Sequence, residues 1–144
     1  MRGVVTRVAR ARVTVEGKTV GAIEQGLLVL VGVRRGDSPE QAEKLADRIC
    51  GLRIFEDEAG KMNRSLGDVG GALLLVSQFT LYADTRSRRP GFTEAAGSAE
   101  ALPRFQRVID CCRERCFPVG TGVFGAHMEV ESLNDGPVTI LLEV

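Results

Sequence analysis

The stretch ALLLVSQFTLYAD, residues 72–84, decides the fold that we expect for this chain. Its first half is continuously apolar, which is typical of a β-strand with both faces covered. Its second half becomes polar and places Ser77, Gln78 and Thr80 near the carboxyl end of the predicted strand. Ligands usually bind at that end of the strands in α/β sheets, so the stretch predicts both a mixed α/β core and a position for chemistry.

Two amphipathic helices are expected, one on each side of this stretch. The first runs from Ser38 to about Gly51. Ser38 is its N-cap, Pro39 takes the first helical position and Gln41 completes a capping box. The second covers about residues 98–116. Its predicted apolar stripe consists of Leu102, Phe105, Ile109, Cys112 and Cys116.

Apolar and alternating segments predict strands in much of the remaining chain. They are VTRVARARVTVEG, KTVGAI and GLLVLVGV before the first helix, LRIFED after it, and VGTGVFG, HMEVESL and VTILLEV after the second helix. The segments EAGKMNRSLGDVGG and TRSRRPGFTEAAG are expected to be long ordered loops. The order predicts a single domain, residues 1–144, of mixed α/β class, in which two helices pack outside strongly curved, barrel-like layers of β-sheet.

The composition narrows the functional classes. With 144 residues and 44% hydrophobic content, the chain suits one domain that needs no disulfides. Nineteen basic residues balance nineteen acidic ones, which argues against a sequence-independent nucleic-acid coat and leaves room for a local basic patch. The N-terminal segment alternates charge with valine, and no apolar run approaches the length of a membrane span. We therefore expect a cytoplasmic protein with no membrane partner.

Conventional catalytic groups are scarce. The four cysteines contain no CxxC pair, and two of them fall on the predicted apolar stripe, so packing is expected in place of metal or redox chemistry. His127 is the only histidine, and nothing in the sequence pairs it with a carboxylate that would orient it. In a regular strand Gln78 and Thr80 share one face. Because threonine is common in strands, this polar pair is on its own only a weak signal for a functional site. No metal site and no cofactor are predicted.

A basic cluster lies in the loop after the predicted strand. Arg86, Arg88 and Arg89 occur within four residues, and Phe92 follows closely. Guanidinium groups suit phosphate oxygens and an aromatic ring can stack on a base, whereas the alternative is a set of solvated loop arginines.

The segment SLNDGPVTI, residues 132–140, has the composition of a hairpin turn. Asn134, Asp135 and Gly136 tolerate left-handed backbone, and Pro137 is acceptable at the first residue of a strand. Proline also removes a backbone donor and makes a cis peptide less costly, so Gly136-Pro137 can direct carbonyl oxygens where an ordinary turn does not.

Together, SQFTLYA at 77–83 and NDGPVT at 134–139 resemble the two signature motifs of the D-aminoacyl-tRNA deacylases, the D-tyrosyl-tRNA(Tyr) deacylase family. MRGVVTRV, GLLVLVGV, LRIFEDEAGKMN, RRPGFT and FGAHMEV are similar to family segments in family order, so the resemblance spans essentially the whole chain. The chain departs from the family pattern at Thr6, commonly glutamine, at Gly91, commonly serine, and at His127, often aspartate. Its 84–92 loop is also about one residue shorter.

The resemblance implies a homodimeric hydrolase that cleaves the ester of D-aminoacyl-tRNA, and of glycine mischarged on tRNA, as chiral proofreading in translation. Gly136 and Pro137 would form the chirality gate through a cis peptide that enters the pocket of the other subunit. Their backbone carbonyls would face the α-carbon of the aminoacyl group, where an L side chain collides with a rigid wall. The active sites would lie at the subunit interface and receive the 3′ end of the aminoacyl-tRNA.

The same resemblance assigns catalytic positions to four consecutive residues. Backbone amides around Phe79 and Thr80 would face the ester carbonyl, while Ser77 and Gln78 shape the adenosine and aminoacyl pockets. Thr80 is either a nucleophile or water-positioning group, or the terminal 2′-hydroxyl of the tRNA assists the chemistry. The positions implied for substrate binding are Val138, Thr139, Met128 and Arg7, with Arg7 bracing the Gly-Pro loop.

Two alternatives remain open from the sequence. One is a catalytically silent tRNA-binding or assembly module with the same fold, which the zero net charge and missing acid–base pair favour. The other is a metal-independent hydrolase of another small acyl ester, which would act without the RNA.

Overall fold

The computed structural model describes all 144 residues of the chain, 1–144. It contains eight strands, two α-helices and a one-turn 3₁₀ helix at Phe79–Tyr82. The strands are β1 Arg2–Val15, β2 Lys18–Ile23, β3 Gly26–Gly32, β4 Phe55–Glu56, β5 Met62–Arg64, β6 Ala72–Ser77, β7 Val119–Thr121 and β8 Glu129–Glu143. The helices are α1 Pro39–Gly51 and α2 Ser98–Glu114. No helix has the length and apolar character required to cross a membrane.

Six strands form one mixed sheet in the order β2-β1-β3-β6-β7, with β8 paired to β1. β1 is antiparallel to β2, β3 and β8, whereas β3–β6 and β6–β7 are parallel pairs. The chain connects each parallel pair through a helix, α1 in the first case and α2 in the second. β4 and β5 form a separate two-stranded sheet, so part of the segment expected to be a loop at residues 58–71 is a strand.

The main sheet curls so strongly that its strands β2 and β7, which lie at opposite ends of the strand order, almost meet. Gly21 in β2 lies so near Thr121 in β7 that a Cβ atom at residue 21 would collide with the Thr121 carbonyl oxygen. Only glycine permits so close an approach of two backbones. The expected mixed α/β fold, with a strongly curved, barrel-like sheet and two outer helices, is confirmed.

The central strands β3 and β6 are buried on both faces, as their continuous apolar sequence predicts. One face packs under the two helices, and Leu27, Val29, Leu73 and Leu75 contribute to that core. The opposite face fills the inside of the curl. This second core consists of Val8, Ala11, Val13, Ile23, Leu28, Leu74 and Val76.

The capping box of α1 is confirmed. The Ser38 hydroxyl accepts a hydrogen bond from the Gln41 backbone N–H, and the Gln41 side chain accepts one from the Ser38 N–H. The stripe expected on α2 is only partly right, because Leu102 is 45% exposed and Cys116 lies exposed beyond the helix. The buried face of α2 consists of Ala101, Phe105, Val108, Ile109, Cys111 and Cys112.

Two strand predictions need correction. β6 ends at Ser77, and the chain turns into the 3₁₀ helix before residue 84, so the regular alternation expected for Gln78 and Thr80 does not occur. At the C-terminus no hairpin separates two strands. β8 continues along β1 through a wide irregularity, in which Thr139 pairs with Thr6 and Asn134 pairs with Val8.

Candidate active site

A cavity of about 560 Å³ opens at the carboxyl ends of β3 and β6. The start of α2 and the segment between β7 and β8 form its other walls. Ten of its sixteen lining residues are hydrophobic, which suits a site that holds an organic group and fixes it with a few polar contacts. The lining residues are Val31, Val33, Val76, Ser77, Gln78, Phe79, Ala96, Gly97, Ser98, Ala101, Phe124, Gly125, Ala126, His127, Met128 and Val130.

The polar floor of the cavity is formed by Ser77, Gln78 and Phe79, where β6 ends and the 3₁₀ helix begins. The Gln78 N–H donates to the Val31 carbonyl over 2.8 Å, which fixes the end of β6 against β3. The helix then begins at Phe79, and the first N–H groups of a helix find no carbonyl partner within it. The N–H groups of Phe79 and Thr80, the first two residues of this turn, therefore have no carbonyl partner within the turn.

Thr80 lies just outside the cavity lining, and its hydroxyl is already engaged. The Gln78 side-chain amide donates a hydrogen bond to the Thr80 Oγ1. Thr80 is exposed, and no histidine or carboxylate contacts its hydroxyl. The structure thus shows a positioned hydroxyl with no base beside it.

His127 and Met128 lie on the opposite wall of the cavity, in the turn that leads into β8. Met128 lines the cavity, and its role in substrate binding stays a prediction. The structure places His127 in the same wall, where it is exposed and has no ion pair with a carboxylate. Its position in the pocket is a finding that the residue pattern alone does not give.

The segment from Asn134 to Thr139 leaves the β1–β8 ladder as a short exposed loop, the Gly-Pro loop. Five residues advance along β8 while two advance along β1, so residues 135–138 have no partner in the ladder. The Asn134 Oδ1 accepts a hydrogen bond from the Val138 N–H over 3.1 Å, and its Nδ2 donates to the Thr139 Oγ1 over 3.3 Å. Asn134 thereby closes the loop, a role that the sequence reading did not assign to it.

Arg7 lies beneath this loop and is only 5% exposed. Its Nε donates to the Asp135 carbonyl over 3.0 Å, and its Nη1 donates to the Ile54 carbonyl over 2.7 Å. The Asp135 carboxylate lies 3.4 Å from the Arg7 Nε. A buried guanidinium needs such partners, so Arg7 connects the base of the loop to the segment after α1.

Within one chain the two motifs are apart. Ser77, Gln78 and Phe79 line the cavity, but none of Gly136, Pro137, Val138 and Thr139 does so. The Gly136–Pro137 peptide is cis, both residues are exposed, and Val138 is half-buried against the main core. The structure brings the first motif together with Met128, and the second motif together with Arg7.

Tyr82, Cys111 and Cys112 are poor acids at neutral pH. Burial raises the pKa of Tyr82 to about 12, and the nearby Asp37 carboxylate adds to that rise. The hydrogen bond with Cys50 and burial raise the pKa of the Cys112 thiol, and burial raises that of Cys111. These thiols pack between α1 and α2, and no cluster of three or more His, Cys, Asp or Glu is placed to hold a metal ion.

Comparisons with known proteins identify the family. A model of the D-Tyr-tRNA(Tyr) deacylase family matches residues 4–143. The D-aminoacyl-tRNA deacylase of Thermotoga petrophila is 56% identical over 144 residues, which is 99% of this chain and 97% of that protein. The protein of the same name from Xanthomonas axonopodis pv. citri is 57% identical over 144 residues, which is 99% of this chain and 99% of that protein. The chain belongs to the D-Tyr-tRNA(Tyr) deacylase family.

Two solved structures share the fold of this chain. The structure described as the c-Myc DNA Unwinding Element Binding Protein is 39% identical, with a TM-score of 0.95 over 100% of this chain and 99% of that one. A probable eukaryotic D-amino acid tRNA deacylase is 16% identical and shares the fold, with a TM-score of 0.84 over 99% of this chain and 98% of that one. The family expected from the sequence is confirmed, and so is the enzyme class, a hydrolase of the D-aminoacyl-tRNA deacylase family.

Proposed function

We propose that this protein hydrolyses the ester bond of D-aminoacyl-tRNA and of glycyl-tRNA, and spares L-aminoacyl-tRNA. One observation carries the proposal: in a member of this family, Ser77, Gln78 and Phe79 of the first signature motif line a cavity of about 560 Å³ at the point where β6 gives way to the 3₁₀ helix. That arrangement suits an aminoacyl ester, whose carbonyl oxygen needs donors when it becomes an oxyanion.

The chemistry requires little beyond positioning. The N–H groups of Phe79 and Thr80 stabilise the tetrahedral oxyanion, while Ser77 and Gln78 shape the adenosine and aminoacyl pockets. An aminoacyl ester is already activated, so a water molecule held in line with its carbonyl suffices. In this proposal the 2′-hydroxyl of the terminal adenosine holds that water, and the Thr80 hydroxyl, which accepts a hydrogen bond from the Gln78 side chain, is not required as a nucleophile.

The Gly-Pro loop supplies the selectivity for chirality in this proposal. Carbonyl oxygens of Gly136 and Pro137 accept hydrogen bonds from the substrate amino group, and the α-hydrogen fits beside them. An L side chain would collide with this backbone, whereas a D side chain points toward open space and glycine has none. Val138 and Thr139 hold the loop, and Arg7 fixes its base through the Asp135 carbonyl.

Because the loop is absent from the cavity of its own chain, we propose that it completes the cavity of a second copy in a homodimer. β8 pairs only with β1, so its outer edge is unpaired. β8 also exposes Val130 to 39%, Leu133 to 48% and Leu141 to 78%. An unpaired, apolar edge strand suits association with another sheet. Val130 is part of both this strand and the cavity wall, so the two surfaces are continuous.

In this function the substrate is the 3′ end of aminoacyl-tRNA, and the enzyme acts in the cytoplasm during translation. The alternative, a silent tRNA-binding module, keeps the cavity and loses turnover. Only an activity assay distinguishes this module from the deacylase, because both would bind the acceptor end of the tRNA.

The test is a deacylation time course on D-tyrosyl-tRNA, L-tyrosyl-tRNA and glycyl-tRNA with purified protein. We expect rapid loss of the D-tyrosyl and glycyl esters and survival of the L-tyrosyl ester at its uncatalysed rate. Ser77→Phe, which places a ring in the cavity, serves as the control for contaminating hydrolases and is expected to be inactive. Equal survival of all three esters with the unaltered protein, together with tight tRNA binding, would select the silent module.

A further inference from the structure

The loop between the 3₁₀ helix and α2 contains a small hairpin beside the cavity, residues 84–92, which we call the tongue. The Asp84 N–H donates to the Gly91 carbonyl over 2.8 Å, and the Gly91 N–H donates to the Asp84 carbonyl over 2.9 Å. These two bonds form an isolated antiparallel bridge. At the tip, the Ser87 hydroxyl donates to the Arg89 carbonyl over 2.6 Å. The tongue is thus an ordered projection with fixed ends.

Of the three arginines in the tongue, only Arg86 has a protein partner for its side chain. The Arg86 guanidinium is paired with the Asp84 carboxylate through several hydrogen bonds. By contrast, the side chains of Arg88 and Arg89 are exposed and make no ion pair or hydrogen bond with any protein group. Most arginines of this chain do have such partners. The tip therefore presents two free guanidinium groups to an external anion.

An exposed aromatic pair connects the tongue to the cavity. Phe92 follows the closing bridge, and its ring meets that of Phe79 edge-on, with centroids 5.1 Å apart and an interplanar angle of 70°. Phe79 is 56% exposed and Phe92 is 39% exposed. Phe79 lines the cavity while Phe92 does not, so the pair extends from the cavity rim to the base of the tongue. The tongue thus holds an exposed aromatic ring and two free guanidinium groups within five consecutive residues, and aromatic rings together with basic groups are what bind single-stranded nucleic acid.

We propose that the tongue is a binding site for the single-stranded nucleotides that precede the terminal adenosine of the substrate. A base stacks on the Phe92 ring, and Arg88 and Arg89 bind the phosphates that follow it away from the cavity. The inference rests on the proposed function, because it takes the cavity to hold the aminoacylated terminal nucleotide. It adds a nucleotide subsite that the two signature motifs do not contain.

The kinetic test compares D-tyrosyl-tRNA with D-tyrosyl-adenosine, which lacks every nucleotide except the last. Phe92→Leu keeps an apolar contact with Phe79 and removes the stacking face. We expect it to lower kcat/KM about tenfold for the tRNA ester, toward the lower end of the effect of one stacked base, and to leave the adenosine ester unchanged. An equal loss on both substrates, or no loss on either, overturns the proposal.

The charge test uses the double variant Arg88→Gln/Arg89→Gln. We expect weaker binding of tRNA and a salt dependence whose log–log slope is shallower by about 1.4, or about 0.7 for each single-strand phosphate contact. Lys44→Gln/Lys61→Gln removes the same charge from exposed positions outside the cavity lining, and its slope should match that of the unaltered protein. Equal slopes for the two double variants overturn the proposal.

A binding measurement separates this inference from the proposed activity. An acceptor-stem minihelix with its single-stranded 3′ tail is compared with a blunt minihelix by fluorescence anisotropy. We expect the tail to increase affinity in the unaltered protein and to have a smaller effect in Phe92→Leu. A protein that binds the tail in this way without cleaving any ester would contradict the proposed function and still support the tongue site. Tail-independent binding would overturn the tongue site whatever the activity.

Discussion

At Gly136 the backbone conformation directly positions the carbonyl groups that we propose as the chirality gate. Its φ is +132°, a conformation that L side chains rarely adopt. A Cβ atom there would lie 2.8 Å from the Val138 Cγ2 and 3.0 Å from the Arg7 Nη2. Since Arg7 is buried and bonded on two sides, it has little room to move away. Alanine therefore requires the loop itself to shift.

We predict that Gly136→Ala lowers kcat/KM for D-tyrosyl-tRNA at least tenfold, because about 1–3 kcal/mol of backbone strain displaces the carbonyl groups. Gly17→Ala is the matched control. Its φ is +77° and nothing lies within 4 Å of the added Cβ, so it should reduce the free energy of unfolding slightly and leave activity unchanged. Deacylation rates and denaturant unfolding curves of both variants check this. Full activity in Gly136→Ala would contradict a role for the loop carbonyls.

The tongue contains an ion pair whose strength depends on protonation, between Asp84 and Arg86. Hydrogen bonds from the Arg86 side chain and backbone lower the pKa of Asp84 to about 2. Because this pKa lies below the ordinary value, the favourable interaction between Asp84 and Arg86 is fully present above about pH 4 and is lost as the pH falls toward 2.

We predict that Arg86→Gln raises the Asp84 pKa toward its ordinary value of about 3.9. The carboxyl carbon resonance of Asp84, followed by NMR as the pH is lowered, measures this midpoint. Arg88→Gln removes a charge from the same tongue without touching the carboxylate and should leave the midpoint unchanged. A midpoint that stays near 2 in Arg86→Gln would show that the backbone N–H alone accounts for the shift.

The elements divide into those that local sequence specifies and those that it does not. The capping residues of α1 and the double-sided burial of β3 and β6 follow from near neighbours in the chain, and both predictions are confirmed. The end of β6 at Ser77 and the return of β8 to β1 after the Gly-Pro loop depend on pairing with distant strands. Alternation and turn composition cannot report such pairing, which is why a regular strand and a hairpin were expected there.

The residues of the candidate site also fall into two groups, those that the local sequence indicates and those that only the three-dimensional fold brings to the cavity. The position of Ser77, Gln78 and Phe79 at a strand's carboxyl end could be read from the sequence, although the polar pattern alone is a weak signal and their roles came from the family resemblance. The contribution of Gly97 and Ser98 from the start of α2, and the positions of Phe124 and His127, required the three-dimensional fold. Asn134 was visible as a turn residue, but its two hydrogen bonds across the Gly-Pro loop were not.

For the whole molecule, the separation of cavity and Gly-Pro loop has a consequence for assembly. If the loop of one copy completes the cavity of its partner, each active site takes one motif from each chain. A C2 dimer then contains two such composite sites. A chain with a damaged cavity still donates an intact loop, and a chain with a damaged loop still offers an intact cavity.

We therefore predict that two inactive variants restore activity when they are combined. Ser77→Phe fills the cavity and leaves the loop intact, whereas Gly136→Val damages the loop and leaves the cavity intact. After co-refolding of an equimolar mixture, half of the dimers are mixed and each has one intact composite site, so about a quarter of the original activity should return. Each variant refolded alone is the control, and sedimentation velocity verifies that dimers form. If the mixture stays as inactive as its components while dimers are present, the loop acts within its own chain.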